Sequence, residues 1–264
     1  MFERIWGIGD IHGSFLPIEN FYLRNKDNIN FSKETDCIIL LGDIGANYYF
    51  DGRDKKFKHK LEEFPFTYFC IRGNHEERPS ICADKKPKYW SLEQFFGGSV
   101  WVEDNYPNIK YAMDCPYIYN INSYKTLVIP GAYSVDKYYR LSKGWSWFKN
   151  EQLSKEEMDL GRRIIEQDPA FDLVLSHTCP ICYEPTDLFL PSIDQSSVDK
   201  TMEIYLGEIE FKIDYKLFLF GHFHHTRVYP RNQNKQIIML FNDNVFNITE
   251  YFANEIKYPY NNFY

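Results

Sequence analysis

Seven short apolar segments recur along the chain, and this pattern constrains the fold more than any other feature. They span residues 4–9, 36–42, 66–73, 126–131, 172–176, 216–221 and 236–241. Their apolar residues are continuous rather than alternating with polar ones, and many are β-branched or aromatic, which is typical of strands buried on both faces of a sheet. The sequence therefore predicts a sheet that is covered on both sides.

A helix is predicted between two of these segments. Apolar residues recur at roughly helical spacing over 151–166, within a charged frame: Leu153, Met158, Leu160, Ile164 and Ile165. Alternation of strand and helix indicates an α/β fold, in which ligands bind beyond the carboxyl ends of the strands.

Pro and Gly are scattered along the sequence and mark no domain boundary, so we expect one domain over residues 1–264. We predict a solvated charged surface at 51–60, and a surface strap or flexible tail at 254–264.

A polar cluster follows five of the predicted strands. The clusters are Gly9-Asp10-Ile11-His12-Gly13, Gly42-Asp43-Ile44-Gly45, Gly73-Asn74-His75-Glu76, Ser176-His177-Thr178 and Gly221-His222-Phe223-His224. Together they supply carboxylate, amide and imidazole groups, a set that suits divalent manganese, iron, zinc, cobalt or nickel. One such cluster alone is typical of an ordinary turn, but five in succession after apolar strands indicate a metal site.

The number of candidate ligands exceeds what one ion needs. Asp10 and His12 lie two residues apart, so their side chains point the same way from an extended strand end, and His222 and His224 repeat this spacing. Two ions roughly 3.5–4 Å apart are an established arrangement for hydrolysing phosphate esters. The sequence thus favours a site with two divalent ions.

The net charge and the composition limit the kinds of partner that the protein is expected to bind. The chain has 30 basic and 37 acidic side chains and a formal charge of −7, which argues against binding of long duplex nucleic acid. The first residues do not form a signal peptide, and no apolar run approaches the length of a membrane span, so we expect a cytoplasmic protein without a membrane partner.

Cys179-Pro-Ile-Cys182 has no second cysteine pair at metal-site spacing, and we interpret it as two loop thiols.

In their order, the five clusters resemble the motifs of the calcineurin-like metallophosphoesterases, over residues 9–224. Two further segments, 131–136 and 144–148, look like a compact branch of that family common in bacteria and phages. The resemblance implies a four-layer α/β/β/α sandwich with two central mixed β-sheets, like that of the metallophosphatases. It places the metal ions at one edge of these sheets.

The resemblance also implies a role for each candidate residue. The first ion would be held by Asp10, His12 and His224, the second by Asn74, His177 and His222, and both by a bridging Asp43. His75 would assist the leaving group as a proton donor or by electrostatic stabilisation, and a metal-bridged hydroxide would attack the phosphorus. The alternative for His75 is a residue that orients a neighbouring ligand.

The second cluster departs from the serine/threonine phosphatase branch of the family. That branch carries an Asp that supports the catalytic His and an Arg that grips the phosphate, where this chain has Ala46 and Asn47. Loss of a bidentate Arg removes a strong phosphate contact. Arg72 and Arg140 are candidates to replace it as substrate-binding residues, whereas Arg53 is expected to be a surface residue. Trp145, Trp147 and Tyr138 are either an aromatic rim for a flat group or part of the core.

These observations favour a metal-dependent phosphoric ester hydrolase. We expect two divalent ions, manganese first, with iron, zinc, cobalt or nickel as alternatives, and a small phosphorylated substrate or nucleotide. A serine/threonine-type protein phosphatase and a nuclease are alternatives on the same scaffold, and a non-catalytic, metal-stabilised interaction module is an alternative of another class.

Overall fold

The computed structural model describes residues 1–189, 191, 193–230 and 235–253. The tail predicted over 254–264 lies outside these residues. The strands are β1 (Arg4–Ile8), β2 (Asp36–Leu41), β3 (Thr67–Ile71), β4 (Trp90–Phe95), β5 (Gly98–Glu103), β6 (Ile109–Tyr111), β7 (Tyr117–Ile121), β8 (Tyr124–Ile129), β9 (Leu173–Ser176), β10 (Leu217–Phe220), β11 (Arg227–Val228), β12 (Gln236–Met239) and β13 (Phe246–Asn247). The helices are α1 (Leu16–Asn25), α2 (Gly52–Glu63), α3 (Pro79–Lys85), α4 (Lys137–Ser142), α5 (Lys155–Gln167), α6 (Thr201–Lys212) and α7 (Ile248–Ala253).

The strands form two mixed sheets. The first has the order β13-β1-β2-β3-β6-β5-β4 and the second the order β11-β12-β10-β9-β8-β7. Strands β1, β2 and β3 are parallel in the first sheet, and β8, β9, β10 and β12 are parallel in the second. The parallel strands are buried on both faces, as their continuous apolar sequences predict.

Three apolar layers hold the sheets and helices together. Helices α1, α2 and α3 pack on the outer face of the first sheet, for example through Phe21 and Leu61. The inner faces of the two sheets pack on each other, for example through Ile39 and Leu219. Helices α5 and α6 cover the outer face of the second sheet. The architecture is therefore the four-layer α/β/β/α sandwich that the resemblance implies.

All seven predicted strands are present, but two other predictions need correction. The helix predicted over 151–166 begins only at Lys155, because Ser154 caps it in a capping box with Glu157. The stretch 51–60 is not simply a solvated surface, because it forms most of α2, whose Phe57 and Leu61 are buried against the first sheet. The hairpin of β4 and β5 was not predicted from the sequence, since β5 alternates between buried and half-buried residues.

Parallel packing brings the carboxyl ends of β1, β2 and β3 to one edge of the first sheet, opposite the carboxyl ends of β9 and β10. The five polar clusters leave the sheets at this edge. Within the described ranges, no helix is long and apolar enough to span a lipid bilayer.

Candidate metal centre

The loops after β1, β2, β3, β9 and β10 bring the predicted ligands together. Ligand atoms lie within 4.8 Å of one another in each of three groups: Asp10, His12 and His224; His12, Asp43 and His75; and Asp43, His177 and His222. Asp43 belongs to two of these groups, so it lies at the centre. The predicted carboxylate and imidazole groups therefore lie in one place, at the edge where the two sheets meet.

Five of the candidate ligands have a left-handed backbone. The φ angles of Asp10, His12, Asp43, His222 and His224 lie between 37° and 72°. This conformation costs about 1–2 kcal/mol for a residue other than glycine and is rare outside turns and functional sites. Three of the five strands, β1, β2 and β10, are therefore followed by sharp turns at residues whose side chains carry a candidate ligand atom.

Asp43 is fixed by both neighbouring loops. Its Oδ1 accepts hydrogen bonds from the backbone N–H groups of Asn74 and His75, each at 2.8 Å. Nε2 of His177 lies 3.3 Å from the same oxygen, and Nε2 of His75 lies 3.8 Å from Oδ2. Burial opposes ionisation of Asp43, but the nearby His177 and His75 rings hold its pKa well below the ordinary value. A negative charge is thus fixed at the centre of the site.

His177 shows most directly that these residues fit a cation. Its Nδ1 lies 2.7 Å from the carbonyl oxygen of Leu41, which can only accept, so Nδ1 carries the proton in the neutral ring. The lone pair on Nε2 then faces two oxygen acceptors, Oδ1 of Asn74 at 3.0 Å and Oδ1 of Asp43 at 3.3 Å. Burial lowers the pKa of His177, but Asp43 outweighs it and raises that pKa to about 9. A proton thus binds where three acceptor atoms would otherwise hold a metal ion.

Asp10 and its neighbours make a similar cradle. Oδ2 of Asp10 accepts a hydrogen bond of 2.7 Å from the backbone N–H of His222. Its Oδ1 is buried and has no hydrogen-bond partner among the described residues, and burial raises the pKa of Asp10 well above the ordinary value. Nε2 atoms of His12 and His224 approach to 2.9 Å, and burial lowers the pKa of both rings, that of His224 to about 4. Neutral imidazoles beside an unpaired carboxylate oxygen fit a divalent metal ion.

Glu76 joins the loops after β2 and β3. Its Oε2 accepts hydrogen bonds from the N–H groups of Ile44 and Gly45, at 2.9 Å and 3.1 Å, and its Oε1 accepts one of 2.7 Å from Gly73. The sequence places Glu76 within the third cluster, but the residue type alone gave no sign of this structural role.

Ser134 orients Asn74 from the second sheet. Its hydroxyl accepts a hydrogen bond of 2.9 Å from Nδ2 of Asn74 and another from Nη2 of Arg140, and it donates to Glu151. With Nδ2 so engaged, Oδ1 of Asn74 faces His177. Ser134 and Glu151 were not predicted as site residues, because a serine in a loop carries no distinctive sequence signal.

A carboxylate partner for His75 comes from the loop after β8. Oδ2 of Asp136 lies 4.0 Å from Nε2 of His75, and Oδ1 of Asp136 lies 3.0 Å from Nε of Arg140. The opposite sheet thus places a carboxylate near His75, beyond hydrogen-bond distance, where Ala46 offers none. The segment 131–136 was singled out in the sequence, but Asp136 itself was not.

The three candidate arginines have different surroundings. Arg140 is buried and lines a cavity of about 460 Å³ together with His12 and His75. Arg72 does not line this cavity: its Nη1 donates to the carbonyl oxygens of Gly73 and Glu151, and burial lowers its pKa to about 10. Arg53, expected to be a surface residue, is exposed and paired with Asp51, yet it also lines this cavity.

Aromatic side chains form part of the same cavity. Trp145 lines it and is 54% exposed, whereas Tyr138 and Trp147 are not among its lining residues. Tyr48 and Tyr49 also line it and were missed in the sequence, because they follow the second cluster without a recognisable spacing. The aromatic rim of this cavity is therefore formed by Tyr48, Tyr49 and Trp145, and Trp145 alone of these three is predicted from the sequence.

Among the described residues, none of the three ligand groups contains Cys179, Cys182, His59 or His225. Cys179 is buried and Cys182 is exposed, and both are free thiols. His59 and His225 are exposed, as expected of surface residues.

Gly73 is required by close packing at the centre. A Cβ at this position would overlap the carboxylate and the amide nitrogen of Asp43. We expect Gly73→Ala to destabilise the metal-free protein by about 1–3 kcal/mol or more, because a well-packed site must shift to admit the methyl group. Thermal and urea denaturation measure this effect. Gly52→Ala is the control, since nothing lies within 4 Å of a Cβ there, and an equal loss in both variants would contradict the packing argument.

Comparison with known proteins identifies the family. A family model described as calcineurin-like phosphoesterase matches residues 3–226. No curated protein matches the chain. Among solved structures, the chain is similar to TT1561 of Thermus thermophilus, with 11% identity, a TM-score of 0.52, and coverage of 93% of this chain and 94% of that one. It is also similar to a dimetal phosphatase from Danio rerio, with 10% identity, a TM-score of 0.53, and coverage of 92% of each chain. At these identities the likeness concerns the fold. From the family model, the chain belongs to the calcineurin-like phosphoesterases.

Proposed function

We propose that the chain hydrolyses phosphate esters with two divalent metal ions. One ion would be held by Asp10, His12 and His224, the other by Asn74, His177 and His222, and both by Asp43. The observation that carries this proposal is the convergence of the Nε2 lone pair of His177 on the oxygens of Asn74 and Asp43. Three acceptor atoms in contact are stable only around a cation or a proton.

When bound, such ions supply positive charge that stabilises the attacking and leaving oxygens of the phosphate and lowers the pKa of water. The side chains of this protein do the rest. His75 is placed to donate a proton to the leaving oxygen, and the carboxylate of Asp136, 4.0 Å from Nε2, would attract the protonated ring. Arg140 lines the same cavity, and its buried guanidinium, which contacts Asp136 and Ser134, adds positive charge beside a phosphate bound there.

A small substrate fits this site better than a phosphoprotein. The position of the missing phosphate-gripping Arg is filled by Asn47, whose Oδ1 accepts a hydrogen bond of 2.7 Å from Nζ of Lys58. The cavity beside His75 has a volume of about 460 Å³, within the range of about 300–1,000 Å³ usual for small-molecule sites. The six cysteines are all free, which supports action in the reducing cytoplasm.

Metal removal and replacement test the proposal. We expect a chelator to abolish hydrolysis of p-nitrophenyl phosphate esters, and Mn²⁺ to restore at least about tenfold more activity than Mg²⁺ at equal concentration, because imidazole ligands suit Mn²⁺ better. Hydrolysis rates and the metal content of the dialysed protein, expected to be two ions per chain, are the measurements.

Two outcomes would contradict the proposal in different ways. Equal recovery with Mg²⁺ would contradict the assignment of the histidines as ligands. Two bound ions without hydrolysis of any ester, mono- or diester, would favour the non-catalytic interaction module.

A further inference from the structure

A second cavity lies beside the candidate metal centre, and the two cavities share a wall. The first, which we call the aromatic cavity, is the one lined by Tyr48, Tyr49 and Trp145. The second has a volume of about 420 Å³. His75 and Asp136 line both cavities, so each opens onto the group that would assist the leaving oxygen.

The second cavity is also in contact with the centre itself. Asp43, Asn74, His222 and His224 form part of its surface. A phosphate bound against these residues therefore has space on two sides. A phosphate with one organic group would fill only one of the two cavities.

The walls of the second cavity, which we call the apolar cavity, are largely aliphatic and aromatic. They are formed by Val135, Leu188, Phe189, Ile193, Val198 and Phe223. Such a surface binds an apolar group through burial and excludes water from the phosphate.

The charged groups of the apolar cavity are mostly acidic. Glu184, Asp199 and Glu203 line it together with one cation, Lys200, whose Nζ lies 2.6 Å from Glu184. Glu203 is only 4% exposed, and its Oε2 has no hydrogen-bond partner within the described part of the chain, although Oε1 accepts one of 2.6 Å from Thr178. This surface disfavours an anionic group and offers a free acceptor to a hydroxyl or ammonium group.

We propose that the apolar cavity binds a second organic substituent on the substrate phosphate, one that is apolar and uncharged or cationic. The inference rests on the proposed function, and it names the substrate class as a phosphodiester with a substituent in each cavity. Water adds to the phosphorus as one ester P–O bond breaks. A phosphomonoester and an alcohol are released, and the leaving oxygen takes up a proton.

Two diesters with the same leaving group and the same charge test this inference. We expect kcat/KM for phenyl p-nitrophenyl phosphate to exceed that for methyl p-nitrophenyl phosphate at least about tenfold in the manganese-loaded protein, because only the phenyl substituent fills the second cavity. Val198→Trp and Leu188→Trp, which place an indole in the apolar cavity, should each lower this ratio at least about fivefold. Ile204→Trp, on the exposed face of α6, is the control and should keep the ratio.

Binding of phosphinates separates this inference from the proposed function. Diphenylphosphinate and methylphenylphosphinate carry the same charge and have no ester bond to cleave. We expect calorimetry to show about tenfold tighter binding of the diphenyl compound, and loss of this preference in Val198→Trp. Tighter binding of diphenylphosphinate without any ester hydrolysis would support the second cavity but contradict the proposed function. Hydrolysis without any preference between the two diesters would overturn the inference and leave the proposed function standing.

Discussion

Asp43→Asn is expected to lower the affinity for metal by about 3–5 kcal/mol, roughly a factor of 10² to 10³ or more, and to lower hydrolysis accordingly at limiting metal. The reason is its position at the centre. Oδ1 of residue 43 would still accept from the N–H groups of Asn74 and His75, so the amide nitrogen would replace Oδ2. That position lies 3.8 Å from Nε2 of both His12 and His75, and an amide nitrogen has no lone pair to offer there. Metal content after dialysis and kcat/KM as a function of metal concentration are the measurements.

Asp36→Asn is the matched control for this experiment. Asp36 is also buried and begins β2, the strand after which Asp43 lies, but its carboxylate pairs with Arg4 at the far end. Its loss should lower the free energy of unfolding and leave the metal content of the folded protein unchanged. If both variants lost metal to the same extent, Asp43 would be a structural residue rather than a ligand.

His75→Ala is expected to lower kcat by about 10²–10⁴, the usual contribution of a general acid, with the metal content unchanged. Metal should be retained because the backbone N–H of residue 75, rather than its ring, holds Asp43. The loss should be at least about tenfold larger for a phenyl ester than for the corresponding p-nitrophenyl ester, since phenolate is the poorer leaving group and depends more on a proton donor. The measurement is kcat for both esters in the wild-type protein and in His75→Ala, each at two metal concentrations.

His59→Ala provides the control for His75, because His59 is exposed and packs only against Tyr106 among its described ring contacts. It should leave both rates unchanged. An equal loss for the two esters in His75→Ala would indicate electrostatic stabilisation without proton transfer. A loss of metal in His75→Ala would instead make the ring a ligand.

The parallel strands could be predicted because burial on both faces gives a sequence signal of its own. Runs such as that of β2, from Asp36 to Leu41, are apolar throughout and end directly at a polar cluster. The edge hairpin of β4 and β5 gave no such signal, since a half-exposed strand alternates and Leu92 even points to solvent. Helix α2 is not evident in the sequence for a related reason, because its charged residues outnumber the buried apolar residues, Phe57 and Leu61, that anchor it.

The candidate ligands could be predicted because they follow directly on those strands, while the residues that support them could not. Asp136 and Ser134 reach His75 and Asn74 from the second sheet, so their contacts depend on how the sheets pack. The same holds for the arginines. Arg72 and Arg140 look equivalent in sequence. Both are buried and donate to backbone carbonyl groups, but of the two it is Arg140 that lines the cavity beside His75.

Both sheets contribute to one centre, and this has a consequence for folding. The first sheet carries Asp10 and Asp43, the second carries His177 and His222, and a hydrogen bond joins Asp10 to His222 across 212 positions of sequence. Neither sheet alone contains the whole set of ligands, so the complete centre forms only after the two sheets have docked. An ion that binds only the docked state stabilises that state by mass action. It therefore lowers the rate of unfolding and leaves the rates of the folding steps before docking unchanged. The ions that we propose for catalysis would thus also hold the two sheets together at the edge where the ligands lie.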